Sequence, residues 1–301
     1  MDQSNQLNCD CIIVNYNAGR FLKDSVQSAF DNHISQVIVV DNHSTDDSLA
    51  DLKQHSTNTA LTILQNPENL GFAAACNIGL NHSQAEYLLF LNPDCVLGSG
   101  ALEVLLEVLQ SDDQLGMVGG FLCYPDGQEQ AGGRRTFPTP KKAFIHLLKR
   151  TKIFPRLWND FELHTQPKPD QPIQVEAISG ACMLVKKAAI DDVGLWDEGY
   201  FLHCEDLDWC MRFQLKQWKI GFVPQAIVTH AKGVCSASKP FFVEWHKHLG
   251  MLRFYNKFFY PKDPLILSVA VWLGIAIKWL LTFVTQAIKT VFKLQKLAHH
   301  V

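Results

Sequence analysis

With 301 residues, 47% of them hydrophobic and 19% charged, the chain holds enough apolar material for a sizeable core and is not a disordered polymer. Its 27 basic and 30 acidic side chains leave a net charge of -3, which excludes the broad basic surface expected of a nucleic-acid partner. Nine cysteines without one Cys-x-x-Cys pair argue against a zinc ribbon and for buried thiols in a reducing, cytosolic compartment; the polar stretch Met1 to Asp10 lacks a basic-then-apolar leader.

Cys11-Ile12-Ile13-Val14 reads as a buried strand running into the loop Asn15-Tyr16-Asn17, with a helix following over Phe21 to Phe30. A second strand, Val37 to Val40, ends at Asp41, and Ser44-Thr45-Asp46-Asp47 caps a helix through Leu52. Leu61 to Leu64 is a third strand, Phe72 to Leu80 a helix, Tyr87 to Leu91 a fourth strand ending at Asn92-Pro93-Asp94, and Ala101 to Leu109 a helix. This alternation predicts an α/β domain with a mostly parallel sheet, in which ligands bind beyond the carboxyl ends of the strands. Asn15, Asn17, Asp41, Asn92 and Asp94 all fall at such ends.

Gly119 to Pro172 has weak periodicity and reads as a long excursion. Regular structure resumes with a strand over Met183 to Val185, a helix over Leu207 to Gln217, and two short strands, Ile220 to Val223 and Ala226 to Thr229. In the C-terminal segment, Leu265 to Ile277 is apolar until Lys278, short of the ~20 residues of a spanning helix. Beyond it Lys278, Thr282, Thr285, Lys289, Lys293 and Lys296 form one narrow polar stripe, the pattern of an amphipathic helix lying in a membrane interface. The chain thus divides into residues 1–260, a catalytic unit, and 261–301, a membrane-associating helical segment.

Several residues have chemistry to offer. Asp94 follows a hydrophobic strand and a proline, a good place for a carboxylate that binds a hard divalent cation bridging a diphosphate. Asp41 is as readily a turn residue as a ligand, and Gly71 in Asn69-Leu70-Gly71-Phe72 serves either close backbone approach or a turn. The densest cluster is Trp196-Asp197-Glu198-Gly199-Tyr200-Phe201 with His203-Cys204-Glu205-Asp206-Leu207-Asp208-Trp209. A carboxylate there can take a proton from an acceptor hydroxyl, and the aromatics offer faces for sugar rings. His230, closing a strand, suits Mn²⁺ or Mg²⁺ if it faces Asp94.

In order and spacing, Ile12 to Asn17, Val39 to Asp46, Asn69 to Ala73, Phe90 to Asp94, Ser179-Gly180-Ala181 and Phe201 to Trp209 resemble family 2 of the inverting glycosyltransferases, nearest to bacterial rhamnosyltransferases of surface-polysaccharide assembly. The resemblance implies a GT-A fold, a Rossmann-like sheet flanked by helices, and roles by position. Asn15, Asn17, Asp41, Asn69 and Gly71 would border the donor nucleotide. Asn92-Pro93-Asp94 stands where the family has Asp-x-Asp, so Asp94 carries the Mn²⁺ or Mg²⁺ contact with Asn92 a weaker partner and His230 completing the site. Asp206 matches the general base, Glu205 orients the acceptor, Gly180 and Trp196 line the sugar, and Asp197 lies on the acceptor side.

Gly132-Gly133-Arg134-Arg135-Thr136-Phe137-Pro138 resembles a segment of the rhamnosyltransferase-like members and favours dTDP-rhamnose over a UDP-hexose as donor. The implied acceptor is a polyprenyl-diphosphate-linked glycan, as in O-antigen or capsule assembly, reached at the cytoplasmic face of the inner membrane, where Arg253 and Lys257 meet lipid phosphates. Two rival classes fit less well. A nucleotidyltransferase needs a glycine-rich basic loop where Asn15-Tyr16-Asn17-Ala18-Gly19-Arg20 has one glycine and one arginine, and a non-catalytic membrane scaffold has no use for both Asp94 and Asp206.

Overall fold

A computed structural model describes residues 8–56, 58–142, 163–231, 233 and 239–298, with side chains to residue 288. Met1 to Leu7, Cys235 and the side chains of Lys289, Lys293 and Lys296 lie outside the described residues.

Strands β1 (Cys9–Asn15), β2 (Gln36–Asp41), β3 (Leu61–Gln65) and β4 (Tyr87–Leu91) form a parallel half-sheet in the order β3-β2-β1-β4. β1 is buried along its whole length, as befits a strand covered on both faces. Its side chains alternate: Ile12 and Val14 enter one core with Ile38, Val40, Leu88 and Phe90, while Cys11 and Ile13 enter the other with Val37, Val39, Leu89 and Leu91. Helices α1 (Phe21–Asp31), α2 (Ser48–His55), α3 (Phe72–Leu80) and α4 (Ala101–Gln110) connect these strands. α3 is rich in Ala and Gly because it presses hard on the sheet: a Cβ at Gly79 would lie 2.6 Å from the Ile12 side chain.

Beyond β4 the sheet becomes mixed. β5 (Cys95–Leu97), β6 (Leu115–Cys123), β10 (Cys182–Lys186) and β11 (Lys219–His230) continue it as β4-β10-β6-β11-β5. β10 runs antiparallel to both β4 and β6, whereas β6 and β11 are parallel. β7 (Arg134–Arg135) pairs with β9 (Ala177–Ile178), and β8 (Ile173–Gln174) adds to β11.

Two expectations change here. The excursion starts only after Cys123, because Leu115–Cys123 is a buried central strand. Its glycines are packing devices, since a Cβ at Gly119 would sit 2.9 Å from Ile178 and one at Gly120 2.5 Å from the Ala226 carbonyl. Residues 143–162 of that stretch lie outside the described residues. The two short strands after Gly221 are one, bulged between Val223 and Ile227, where Pro224 cannot donate to the ladder.

After α5 (Lys187–Val193) and α6 (Glu205–Leu215) come α7 (Pro240–Phe258) and α8 (Leu265–Ala298). α8 is one continuous helix, and its segment Leu265–Ile288 has a mean hydropathy of 2.0 and is almost wholly exposed. At 1.5 Å per residue its 24 residues span ~36 Å, enough to cross a bilayer, so Lys278 does not cut the apolar run short. α7 packs on it through Trp245–Trp279 and Phe241–Phe283, with ring centroids 5.5 and 5.0 Å apart, and Tyr255 donates to Ser268 Oγ at 3.0 Å.

Candidate functional site

The carboxyl ends of β1, β2 and β4 open on one edge, and polar side chains lace them together. Asn15 is wholly enclosed and donates to Asp41 Oδ1 at 2.8 Å, Ser44 Oγ at 3.0 Å and Ser48 Oγ at 2.9 Å. Asn17, in the left-handed region at φ 53°, accepts at Oδ1 from the Thr45 and Asp46 amides. Asp41 Oδ2 receives the Ser44 amide at 3.1 Å. These residues brace the rim, and only Asn17 and the loop at Ser44 to Asp46 have exposed atoms to give a ligand directly. Asn69 accepts from the Gly71 amide at 2.9 Å. The close approach at Gly71 is to the protein's own chain, because with φ at +87° a Cβ there would lie 2.6 Å from the Phe201 carbonyl.

At the end of β4 the Asn92 amide donates to the Ala181 carbonyl at 2.9 Å, bringing Gly180 beside the Asn-Pro-Asp turn. Asp94 Oδ1 lies 3.1 Å from His230 Nε2 across the β5–β11 pair, and the Ala231 amide donates to the Asp94 carbonyl at 2.9 Å. Asp94, Cys95 and His230 offer one ligand atom each within 4.8 Å of one another. Burial, and then the nearby Asp94, push the Cys95 thiol well above its ordinary range, so it stays protonated and makes a poor ligand. The effective donors are one carboxylate and one imidazole. That set fits Mn²⁺ or Mg²⁺ with positions left for diphosphate oxygens and water.

Asp206 sits in the first turn of α6. Its Oδ2 accepts from the Gly180 amide at 3.2 Å and pairs with the Arg135 guanidinium, and its Oδ1 accepts from the Leu207 amide at 2.7 Å. An ionised carboxylate offers about four acceptor positions. Three are taken, and the remaining one is on Oδ1. Burial alone would lower the Arg135 pKa, but the Asp206 charge overrides it and raises it. Arg135 Nε has no hydrogen-bond partner among the described residues.

The turn that delivers Asp206 is strained: His203 and Cys204, neither a glycine, both adopt positive φ, 70° and 71°. α7 holds it in place, since a Cβ at Gly250 would meet the His203 carbonyl at 2.5 Å.

The family model for glycosyl transferase family 2 matches residues 10–194. The chain belongs to glycosyl transferase family 2. The glycosyltransferase is 29% identical over 245 residues to the N-acetylglucosaminyl-diphospho-decaprenol L-rhamnosyltransferase of Mycobacterium tuberculosis, covering 76% of this chain and 78% of that one. It is 23% identical over 214 residues to the poly-beta-1,6-N-acetyl-D-glucosamine synthase of Staphylococcus aureus, 70% of this chain and 47% of that one. Among solved structures, the mannosyltransferase of Pyrobaculum calidifontis in complex with GDP-Man and Mn²⁺ superposes with a TM-score of 0.57 at 14% identity, over 97% of this chain and 82% of that one. The fold is the GT-A arrangement.

Three acceptor-side expectations for this glycosyltransferase need correction. Trp196 is 2% exposed, packed among Phe72, Phe90 and Trp209, with no open face for a sugar. Asp197 is a clamp: burial alone would raise its pKa, yet hydrogen bonds from Lys257 and Arg253 hold it down to about 2. For the same reason Arg253 and Lys257 are not free lipid contacts, because Lys257 Nζ lies 2.6 Å from both Asp197 Oδ2 and Asp208 Oδ2, and Arg253 is 2.8 Å from Asp197 Oδ1.

Glu205, expected to orient the acceptor, is buried, its Oε2 without a hydrogen-bond partner among the described residues. Burial first, and Asp206 second, push its pKa up to about 8. The folded protein therefore keeps a proton that the unfolded chain releases above the ordinary glutamate range, and stability falls as pH rises through that window. Glu205→Gln mimics the protonated form. Its melting temperature is expected to stay level between about pH 5 and pH 8, where that of the wild type declines. Equal slopes in a thermal-shift series would refute the assignment.

Arg135 and Gln130 are the site residues that residue-by-residue reading missed. Arg135 was visible only within the Gly132 to Pro138 resemblance. Its neighbour Arg134 is structural, buried against Glu129 at 2.7 Å.

Proposed function

We propose that this glycosyltransferase is an inverting enzyme that transfers a sugar, with L-rhamnose from dTDP-rhamnose the favoured donor, to a polyprenyl-diphosphate-linked glycan at the cytoplasmic face of the membrane. The observation that carries the reading is the pairing of two carboxylates about the end of β4. Asp206 is fixed by Gly180 and Arg135 with one lone pair free, and Asp94 is set against His230.

In the displacement, the acceptor hydroxyl gives its proton to Asp206 Oδ1 and its oxygen bonds to the anomeric carbon. The bond from that carbon to the diphosphate oxygen breaks, the nucleoside diphosphate takes the electron pair, and the configuration inverts. Arg135 and the Gly180 amide keep the carboxylate aimed during proton transfer. Asp94 and His230 would hold a divalent ion, which neutralises charge developing on the leaving diphosphate. The decaprenol-linked rhamnosyltransferase relative and the Gly132 to Pro138 segment support the choice of sugar and acceptor. The exposed apolar surface of α8 supports the membrane, because water does not tolerate a face of that extent. We accordingly treat residues 1–260 as the catalytic unit and 261–301 as the membrane segment.

A donor panel tests the reading. Thermal shift with dTDP-rhamnose, UDP-glucose, UDP-galactose, UDP-GlcNAc and GDP-mannose, each with Mn²⁺ or Mg²⁺, is expected to show the largest stabilisation with dTDP-rhamnose. A larger response to a UDP-hexose would reassign the donor, and no metal-dependent response to any of them would overturn the reading. Ending the chain at Pro264 is expected to preserve donor binding and abolish flotation with vesicles.

A further inference from the structure

Gln130 has no part in the mechanism above, yet its amide is tightly determined. Nε2 donates to the backbone carbonyl of His230 at 2.7 Å and reaches that of Cys123 at 3.5 Å. Carbonyl oxygens only accept, so chemistry assigns that end of the amide as the NH₂. The other end, Oε1, lies 2.9 Å from His230 Nδ1. An amide oxygen also only accepts, so Nδ1 must carry the hydrogen. In the neutral ring Nε2 then presents a bare lone pair, and it faces Asp94 Oδ1 at 3.1 Å. Two acceptors this close repel each other unless a positive charge, a proton or a metal ion, is shared between them.

We propose that Gln130 is a positioning residue for a divalent-cation site. It locks His230 in the Nδ1–H tautomer so that the Nε2 lone pair and the Asp94 carboxylate act as one nitrogen–oxygen ligand pair. The inference rests on the reading of Asp94 and His230 as metal ligands. Gln130 is 2% exposed, so no solvent competes for Nδ1, and its own amide is anchored to the Leu122 carbonyl at 2.9 Å. Metal-bound imidazoles characteristically donate their second N–H to such a partner, which fixes both tautomer and ring orientation. Here the partner comes from the segment that follows β6, while the ligands come from the turn after β4 and the end of β11.

Two measurements test this in the full-length protein. In ¹⁵N-histidine-labelled, metal-free protein, with His230→Gln assigning the ring among twelve histidines, long-range ¹H–¹⁵N correlation is expected to show hydrogen on Nδ1 of His230 and none on Nε2. An Nε2–H ring would overturn the proposal. Mn²⁺ affinity, read from the EPR signal of free ion, is expected to drop about 10- to 100-fold in Gln130→Leu and to stay close to wild type in Gln130→Glu, which keeps an acceptor opposite Nδ1. A Leu variant that binds as tightly as wild type, or a Glu variant as weak as the Leu variant, would overturn the positioning role alone. A wild-type protein that binds no Mn²⁺ would overturn the metal reading beneath it. Leu leaves two carbonyls without their donor, so if that variant fails to fold, the wild-type spectrum and the Glu variant still decide.

Discussion

Asp206→Asn is expected to lower kcat by about 10²- to 10⁴-fold, the usual worth of a general base, while the donor still binds with near wild-type affinity. An amide can keep the shape of the pocket: its oxygen can still accept from Gly180 and Arg135, the partners the carboxylate has at Oδ2. It cannot take up the acceptor proton at Oδ1. Rate loss without binding loss is therefore the signature, measured as single-turnover transfer beside donor titration calorimetry. Near-normal turnover would eliminate Asp206 as the base, and a parallel loss of donor affinity would make it a scaffold residue.

The second large effect is expected at Asp94→Ala. Removing the only carboxylate among the clustered ligand atoms leaves His230 and a protonated thiol, a set with little hold on a hard cation. Mn²⁺-dependent donor affinity is expected to fall by at least the 10- to 100-fold typical of losing an outer partner of a metal site, and the residual binding to become indifferent to EDTA. If wild type and variant bind donor equally, with and without chelator, Asp94 is not a metal ligand. A full response to Mn²⁺ in the variant would move the ion elsewhere on the strand edge.

The parallel half-sheet was legible in the chain because its signals are local. Ile12 to Val14, Val37 to Val40 and Tyr87 to Leu91 are short apolar runs, each closed by a polar residue, and the helices between them keep a clear period. β6 escaped because three glycines inside Leu115–Cys123 look like a loop until the facing Ile178 and Ala226 explain them. In the site, Asp94 and Asp206 could be picked out by position. Trp196 and Asp197 misled because acidic-aromatic clusters read alike whether they line a cleft or pack inward, and the partners that decide it, Phe90, Arg253 and Lys257, are distant in sequence. Arg135 and Gln130 meet their partners 71 and 100 residues away. No periodicity or spacing announces contacts of that range.

One helix joins two parts of the molecule that a linear reading keeps apart. α7 supports the strained turn before Asp206 through Gly250, grips Asp197 and Asp208 with Lys257, and lays Trp245 against Trp279 of α8. There is no slack joint along that route. Any surface that holds α8 therefore sets the tilt of the mouth and its height above that surface. A lipid-borne hydroxyl would meet the base at a constant elevation, delivered by sideways diffusion in two dimensions instead of by the swing of a tethered domain.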